Sequence, residues 1–434
     1  LATTEKSEAD RVRAVQSEDG HLRAAITFED PNLKLPQFIR DALILKMGFE
    51  RPSKVQAATL PLIMDQKNII AQAQSGSGKT VAFTCGLLSR IDLADRSGVQ
   101  AICLAPTREL ASQIYRDAMV PLSTYMEGLV IEQALAGMRV ARGAKSNAHL
   151  IVGSPGRILD LYKQGYFTFS TVKIFVLDEA DEMVAKTAKG RDLGAQTLEI
   201  KAAIPESAQI LFFSATFTAD ILKYSKSIVP KAYSVTLKNT ESLVLKVIRQ
   251  VTINTTDVAG GKLKVLQDIY TALSIQQSIV FCGMKKEADA VSRMMIDTGF
   301  PVSTLHSDLE NDQRDRVMED FREGKSKVLV TTNALARGVD VPTVAVVVNY
   351  DLPVIRKGAK IEPDHATYVH RIGRTGRFGR QGTAISFIHT AQDADIMSKI
   401  EAYYCPDGGK MLTVWDPDDI EGLADDHNSR SSGL

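Results

Sequence analysis

Cysteine is scarce in this chain and carries no pattern. The four cysteines, Cys85, Cys103, Cys282 and Cys405, are widely scattered and none forms a Cys-x-x-Cys pair. Three sit in or beside apolar runs, so they read as reduced, mostly buried thiols of an intracellular protein rather than as a disulfide framework. Long hydrophobic runs are missing too. No stretch reaches the roughly 18 apolar residues of a membrane-spanning helix, so no membrane insertion is expected. There is no excess of one charge: Lys+Arg and Asp+Glu both number 52. With no overall field, any binding to a nucleic acid must come from a local patch. The sequence starts at Leu1 without a methionine, so no targeting signal can be read from its start.

What is present is enough for two ordinary domains. A chain of 434 residues exceeds one core, and two domains of about 200 residues fit the usual size range. Residues 1–24 are polar and charge-mixed, with weak helical character around Ala9–Val15, and read as a mobile or loosely docked extension. Short apolar runs then alternate with longer amphipathic stretches. Segments 68–71, 101–104, 150–152, 173–177 and 209–213 read as buried strands, each followed by a helical pattern. A polar cluster at 238–245 interrupts the alternation and reads as a linker. A second series follows at 278–281, 303–305, 327–331, 344–348 and 384–387. The expectation is an α/β protein whose domains, 25–237 and 246–424, are parallel sheets flanked by helices, ending in a disordered tail at 425–434.

Only the first series carries a glycine-rich loop. Ala73 opens it, and Ser75-Gly76-Ser77-Gly78-Lys79-Thr80 runs from a strand into a helix. Backbone N–H groups in such a loop converge on phosphate oxygens, and the helix start adds its positive dipole end. Gly76 and Gly78 permit backbone conformations that a Cβ obstructs. Lys79 is placed to reach the β- and γ-phosphates, and Thr80 to take one magnesium position. About a hundred residues on, the strand Ile174–Leu177 ends in Asp178-Glu179-Ala180-Asp181, where open α/β sheets place their ligands. Asp178 is the candidate holder of magnesium and Glu179 the candidate general base for the attacking water. An acidic helix start is the alternative for these carboxylates taken alone. Paired with the loop, they point to hydrolysis of a nucleotide polyphosphate with Mg2+; the choice of ATP rests on the resemblance that follows.

The motifs then follow a familiar order: Gly48-Phe49-Glu50-Arg51-Pro52-Ser53-Lys54-Val55-Gln56, the phosphate loop, Pro106-Thr107-Arg108-Glu109-Leu110, Ser154-Pro155-Gly156-Arg157, Asp178-Glu179-Ala180-Asp181 and Ser214-Ala215-Thr216. In the second half come Ala336-Arg337-Gly338-Val339-Asp340 and His370-Arg371-Ile372-Gly373-Arg374-Thr375-Gly376-Arg377. From Phe28 to about Asp418 the chain resembles a DEAD-box RNA helicase.

The resemblance implies two tandem RecA-like domains and an RNA-dependent ATPase that unwinds short duplexes or strips proteins from RNA. It makes Gln56, with Arg51, the adenine reader, which suits an amide that can pair with the N6/N7 edge. It makes Phe28 the ring that stacks on the base, with an ordinary core role as the alternative. It assigns Gly338 and Asp340 to the nucleotide, and Arg374 and Arg377 to arginine fingers. The spacing of that arginine pair predicts that both share a helix face. Asp181, Ser214, Ala215, Thr216 and His370 would couple the domains. Single-stranded RNA would meet Pro106, Thr107, Arg108, Gly137, Ser154, Gly156 and Arg157 in the first domain, and Arg314 and Thr332 in the second. Contacts to phosphate and 2′-OH groups give RNA preference with little sequence specificity. Ala136, Ser154, Asn311 and Asn333 depart from the common pattern along the RNA path, not at the chemical centre.

Thr331-Thr332-Asn333, the insertion Val354–Asp364 after Asn349-Tyr350-Asp351-Leu352-Pro353, and Trp415-Asp416-Pro417-Asp418-Asp419 resemble the mRNA-export branch of that family. The branch implies a nucleoporin partner, an export factor acting with inositol hexakisphosphate, and shuttling between nucleus and cytoplasm; the chain is expected to be a monomer. A generic loop lengthening is the alternative for the insertion. The rival functions are a passive RNA clamp, against which the intact Lys79, Glu179, Arg374 and Arg377 argue, and a DNA translocase.

Overall fold

The computed structural model describes residues 13–16, 27–73, 76–184, 192–229, 231–236, 248–273, 277–332, 344–358, 360–376, 382–405 and 409–423. The chain divides into two compact units, Leu1–Lys238 and Asn239–Leu434. The expected linker and the C-terminal tail lie outside the described residues.

The first unit is built on eight strands: β1 Arg13–Gln16, β2 Ile69–Gln72, β3 Ala101–Leu104, β4 Ile131–Ala134, β5 Leu150–Gly153, β6 Ile174–Leu177, β7 Gln209–Ser214 and β8 Tyr233–Thr236. They pair in parallel in the order β1-β8-β2-β7-β6-β3-β5-β4. Side chains alternate across a strand, and the sheet is apolar on both faces. Ile69, Ala71, Cys103, Val152, Val176 and Phe213 join one core cluster, while Ile70, Ile102, Ile151, Phe175 and Phe212 join the other. Full burial of such a side chain contributes about 1.5–3 kcal/mol.

The second unit contains β9 Ile248–Asn254, β10 Gln277–Cys282, β11 Val302–Leu305, β12 Val328–Thr332, β13 Val344–Asn349, β14 Val354–Lys357, β15 Lys360–Pro363, β16 Gly382–Ile388 and β17 Leu412–Trp415. Seven of them form a parallel sheet in the order β11-β12-β10-β13-β16-β9-β17. The same alternation splits its core: Val280, Val330 and Val348 face one cluster, and Ile279, Phe281, Leu329 and Val347 the other. β14 and β15 stand apart as an antiparallel hairpin.

Within the N-terminal extension, the described residues 13–16 depart from the expected helical character. Arg13–Gln16 is a strand in register with Tyr233–Thr236. The otherwise unpaired edge of β8 offers these residues a row of backbone partners. Cys85, Cys103 and Cys282 are buried and unbridged, and Cys405 is half-buried. No helix among the described residues is long and apolar enough to cross a membrane.

Candidate active site

Nearly every first-unit candidate lies at the carboxyl end of a strand. β2 runs into the loop that precedes the helix Lys79–Ser89, and β6 into Asp178-Glu179. Gly76 and Gly78 take left-handed backbone angles, φ 78° and 90°, conformations that L side chains resist. Ser75 lies outside the described residues.

Lys79 crosses from its helix to the end of β6. Its Nζ lies 2.9 Å from Asp178 Oδ1 and 2.5 Å from Glu179 Oε1, with the ammonium and both carboxylates almost wholly removed from water. Burial is the largest influence on Lys79 and works against its charge, but the two carboxylates outweigh it and hold its pKa above the ordinary lysine value. Burial is also the largest influence on Asp178 and raises its pKa to about 6, with Glu179 adding to the shift and Lys79 opposing it. Glu179 has φ 50°, a left-handed angle that costs a non-glycine residue about 1–3 kcal/mol and that clusters at functional sites. The Asp178 carboxylate caps the turn by accepting from Glu179 N at 3.0 Å.

The donor set suits magnesium. Asp178 Oδ2 is buried without a hydrogen-bond partner among the described residues, and Thr80 opens the helix beside Lys79. Both offer hard oxygen ligands, as magnesium requires.

Gln56 is wired to the phosphate loop. Ser53 and Gln56 cap the helix Lys54–Met64 reciprocally: Ser53 N donates to Gln56 Oε1 at 2.8 Å, and Gln56 N to Ser53 Oγ at 3.3 Å. Gln56 Nε2 then donates to Gly78 O at 3.1 Å. A Cβ on Gly78 would lie 2.7 Å from Gln56 Nε2 and 2.8 Å from Ser53 Oγ, so at this φ of 90° a side chain would be strained and would displace both. Arg51 is exposed nearby in sequence. Phe28 has no exposed face; it lies in the core, 6.5 Å from the Phe49 ring centroid. The base-stacking surface expected of it is not presented in this structure, because its apolar ring completes the packing of the N-terminal helices.

The residues expected on RNA gather after β3, β4 and β5. Thr107 caps the helix Arg108–Ile114, accepting from Leu110 N at 3.2 Å, and Pro106 precedes it. Arg108 donates to Ala136 O at 2.7 Å, and Arg157 donates to Met138 O and pairs with Asp160. Two arginines thus brace the exposed turn whose middle residue, Gly137, has φ 92°. Ser154 begins the helix Pro155–Lys163 without a side-chain capping bond, which leaves its hydroxyl available beside the first amides. Gly156 admits Gln196 so closely that a Cβ would lie 3.0 Å from its Oε1.

The first-unit residues expected to couple the domains also converge. Ser214 Oγ donates to Thr216 O at 2.7 Å, and Thr216 Oγ1 to Asp181 Oδ2 at 3.3 Å. Ala73 N donates to Ser214 O at 2.9 Å, and Gln72 Nε2 to Ala215 O at 3.4 Å, tying this turn to the start of the phosphate loop.

In the second unit one expectation is corrected. The helix His365–Ile372 ends with Gly373, so Arg374 lies in the following turn and not on a helix face. Gly376, with φ 68°, carries the chain further from helical geometry. Arg374 is buried and its Nε donates to His370 O at 2.9 Å; His370 is buried as well. Arg377, Gly338 and Asp340 lie outside the described residues. Thr332 ends β12, and Arg314 occupies the first turn of the helix Asn311–Arg322.

Arg371 was not among the expected site residues. It donates to Asn349 Oδ1 at 2.9 Å and Asp351 O at 2.6 Å, with its guanidinium 4.9 Å from the Phe281 ring centroid. Its place in the His370-Arg371 pair was the available signal.

Comparison with known proteins agrees with this geometry. Residues 53–224 match the DEAD/DEAH box helicase family, and residues 261–379 the helicase conserved C-terminal domain. The ATP-dependent RNA helicase DBP5 of Candida glabrata is 44% identical over 382 residues, covering 88% of this chain and 73% of that protein. The chain belongs to the DEAD-box ATP-dependent RNA helicases. Among solved structures, S. cerevisiae Dbp5 bound to RNA and ADP BeF3 is 39% identical with a TM-score of 0.85, covering 94% of this chain and 100% of that one. A single-substitution variant of S. cerevisiae Dbp5, bound to Nup159, a Gle1 variant, IP6 and ADP, is 37% identical with a TM-score of 0.63, covering 91% of this chain and 100% of that one. The two sheets of this DEAD-box helicase are therefore its tandem RecA-like domains.

Proposed function

We propose that this chain uses ATP binding and hydrolysis to unwind short RNA duplexes or strip proteins from RNA during mRNA export at the nuclear pore. The observation that carries the reading is the buried contact of Lys79 with Asp178 and Glu179 at the mouth of a glycine-rich loop. It gathers phosphate-binding, metal-holding and water-activating groups at one strand end. Nothing in a passive RNA clamp requires that set.

In this reading the domains are 25–237 and 246–424, joined by 238–245. ATP enters with its adenine at Gln56 and Arg51 and its phosphates on Ser75–Thr80. Lys79 then leaves the two carboxylates for the β- and γ-phosphates, which frees Asp178 and Glu179 for their own roles. Thr80 and Asp178 would hold Mg2+, which when bound supplies neutralising charge for the phosphate oxygens. Glu179 orients and deprotonates the attacking water. Gly338 and Asp340 complete the nucleotide contacts, and Arg374 and Arg377 stabilise charge on the transferred phosphoryl group, a contribution worth roughly 10³–10⁵ in rate.

RNA lies on Pro106, Thr107, Arg108, Gly137, Ser154, Gly156 and Arg157, with Arg314 and Thr332 from the second domain. Asp181, Ser214, Ala215, Thr216 and His370 relay nucleotide state to RNA affinity. The Dbp5 structure bound to Nup159, Gle1 and IP6 supports a nucleoporin and an inositol-hexakisphosphate-dependent factor as partners, hence work in nucleus and cytoplasm, at the cytoplasmic face of the pore.

The test is ATPase turnover with and without RNA, in the wild type and in Glu179→Gln. RNA should stimulate the wild type. The variant should lose about 10²–10⁴ in kcat, the usual worth of a general base, while still binding nucleotide and RNA. Persistence of RNA-stimulated turnover in Glu179→Gln removes Glu179 from the role given to it.

A further inference from the structure

Gln196 lies outside every sequence motif, on the helix Leu193–Ala203 between the Asp178-Glu179 turn and Ser214. The start of that helix is held from several sides. Asp192 caps it by accepting from Ala195 N at 2.8 Å, Tyr224 Oη donates to Gly194 O at 3.3 Å, and Thr197 Oγ1 donates to Leu193 O at 2.8 Å. The helix packs along Pro155–Lys163. Gln196 meets Gly156 near the two starts, and Glu199 pairs with Lys163 at 2.6 Å further on, so the first turns of both helices lie at one end.

At that end the Gln196 amide rests on Gly156, where a Cβ would lie 3.0 Å from Oε1 and 3.5 Å from Nε2. Oε1 is turned inward and buried without a hydrogen-bond partner. Nε2 also has no partner among the described residues, and it is not enclosed as Oε1 is. A half-buried amide that makes no hydrogen bond is an uncommon expense in a folded protein. The neighbouring helix start has unused groups of its own. Ser154 makes no side-chain capping bond, and the Gly156 amide is one that a helix start leaves without an intrahelical carbonyl. Three uncharged donors, Ser154 Oγ, Gly156 N and Gln196 Nε2, therefore lie within one turn of Gly156.

We infer that Gln196 is a further RNA-backbone contact, donating from Nε2 to the phosphate that meets Ser154 and Gly156. The inference rests on the proposed RNA path over the first domain. With Oε1 turned in against Gly156, the group left to a ligand is a donor, so the ligand atom must be an acceptor, as phosphate oxygens are. Such a contact fixes the position of the strand without reading its sequence.

The experiment measures binding of the full chain, with ADP and beryllium fluoride, to a uridine homopolymer across a KCl series. Gln196→Met keeps the length of the side chain and removes both amide groups. One neutral hydrogen bond is worth about 2–12-fold in affinity, so the variant should bind RNA that much more weakly at every salt concentration. The slope of log K against log salt should not change, because an uncharged donor displaces no counterion. The RNA concentration for half-maximal ATPase should rise by the same factor, with kcat at saturating RNA unchanged. Gln196→Glu, which keeps the shape and exchanges the donor for a charged acceptor, should bind more weakly still. The melting midpoint of the first unit should hold in Gln196→Met, since no hydrogen bond is lost; a fall of more than about 2 °C alongside weaker binding would assign Gln196 to packing and refute the contact. If wild-type ATPase responds to RNA but Gln196→Met keeps wild-type affinity, the contact is refuted and the wider RNA reading stands. If the wild type itself shows no RNA response, both fall.

Discussion

Replacing Lys79 with alanine should destabilise the first unit as well as stop ATP turnover. The ammonium lies within 2.9 Å of both Asp178 and Glu179, and all three groups are almost wholly buried. Removing one partner of a buried ion pair costs about 3–5 kcal/mol, because the other charge is left without compensation. Here two carboxylates lose their cation at once, so the upper part of that range is expected. For a unit of this size each kcal/mol moves the melting midpoint by about 2–4 °C, which for about 4–5 kcal/mol gives a fall of roughly 8–20 °C. The assay is thermal unfolding by circular dichroism without nucleotide. Tryptophan fluorescence supplies an internal control, since the single tryptophan, Trp415, is in the second unit, where the transition should stay in place. Lys79→Met/Asp178→Asn/Glu179→Gln, which removes all three charges, should recover most of the loss, because uncharged side chains of similar size replace buried ion pairs at little cost. A shift below about 2 °C for Lys79→Ala would show that the carboxylates do not depend on Lys79.

Gly78→Ala should lower stability by about 1–3 kcal/mol through its left-handed backbone alone, and should weaken nucleotide binding because the new Cβ, 2.7 Å from Gln56 Nε2, must push aside the side chain proposed to meet the adenine; equilibrium binding of a fluorescent ADP analogue checks this, and unchanged affinity would refute the latch. The pH dependence follows from Asp178, whose pKa is raised to about 6 chiefly by burial. Its carboxylate must be ionised to hold a cation, so kcat/KM for ATP, which reports the free enzyme, should fall as pH drops through about 6; an acid limb in the ordinary carboxylate range near about 4 would contradict it. For stability the sign is opposite: the folded state holds this proton more tightly than the unfolded chain, so the Asp178 contribution favours folding at low pH and is lost as pH rises toward about 6. Urea unfolding of Asp178→Asn and wild type on either side of that value can isolate the trend.

The strands legible in the sequence were those buried on both faces. Leu150–Gly153, Ile174–Leu177 and Gln209–Ser214 are apolar almost throughout and buried throughout, which is the pattern a central parallel strand imposes. Ile131–Ala134 escaped because it is the sheet edge opposite β1, with Glu132 and Gln133 only half-buried. The β14–β15 hairpin escaped for a related reason. Its apolar residues are sparse among charges, and Val354 and Ile361 pack on a cluster assembled from Leu352, Tyr368 and more distant residues such as Ile248 and Ile396. Propensity within a short window cannot register such a partner.

Within the site, what was legible was local. The phosphate loop and the Asp178-Glu179 turn each carry their chemistry within a few adjacent residues, so their roles could be argued separately. The contact between them spans a hundred positions in sequence and needed the sheet, where only β7 separates β2 from β6. The Ser53–Gln56–Gly78 latch was hidden for the same reason: it joins two helix starts whose approach no spacing rule encodes. At Arg374 the spacing rule itself misled. Residues three apart share a face only while the helix lasts, and Gly373 ends it after Ile372. The break has a physical consequence. A helical Arg374 would have its direction set by the helix axis, whereas in the turn it is set by a hydrogen bond to His370 O.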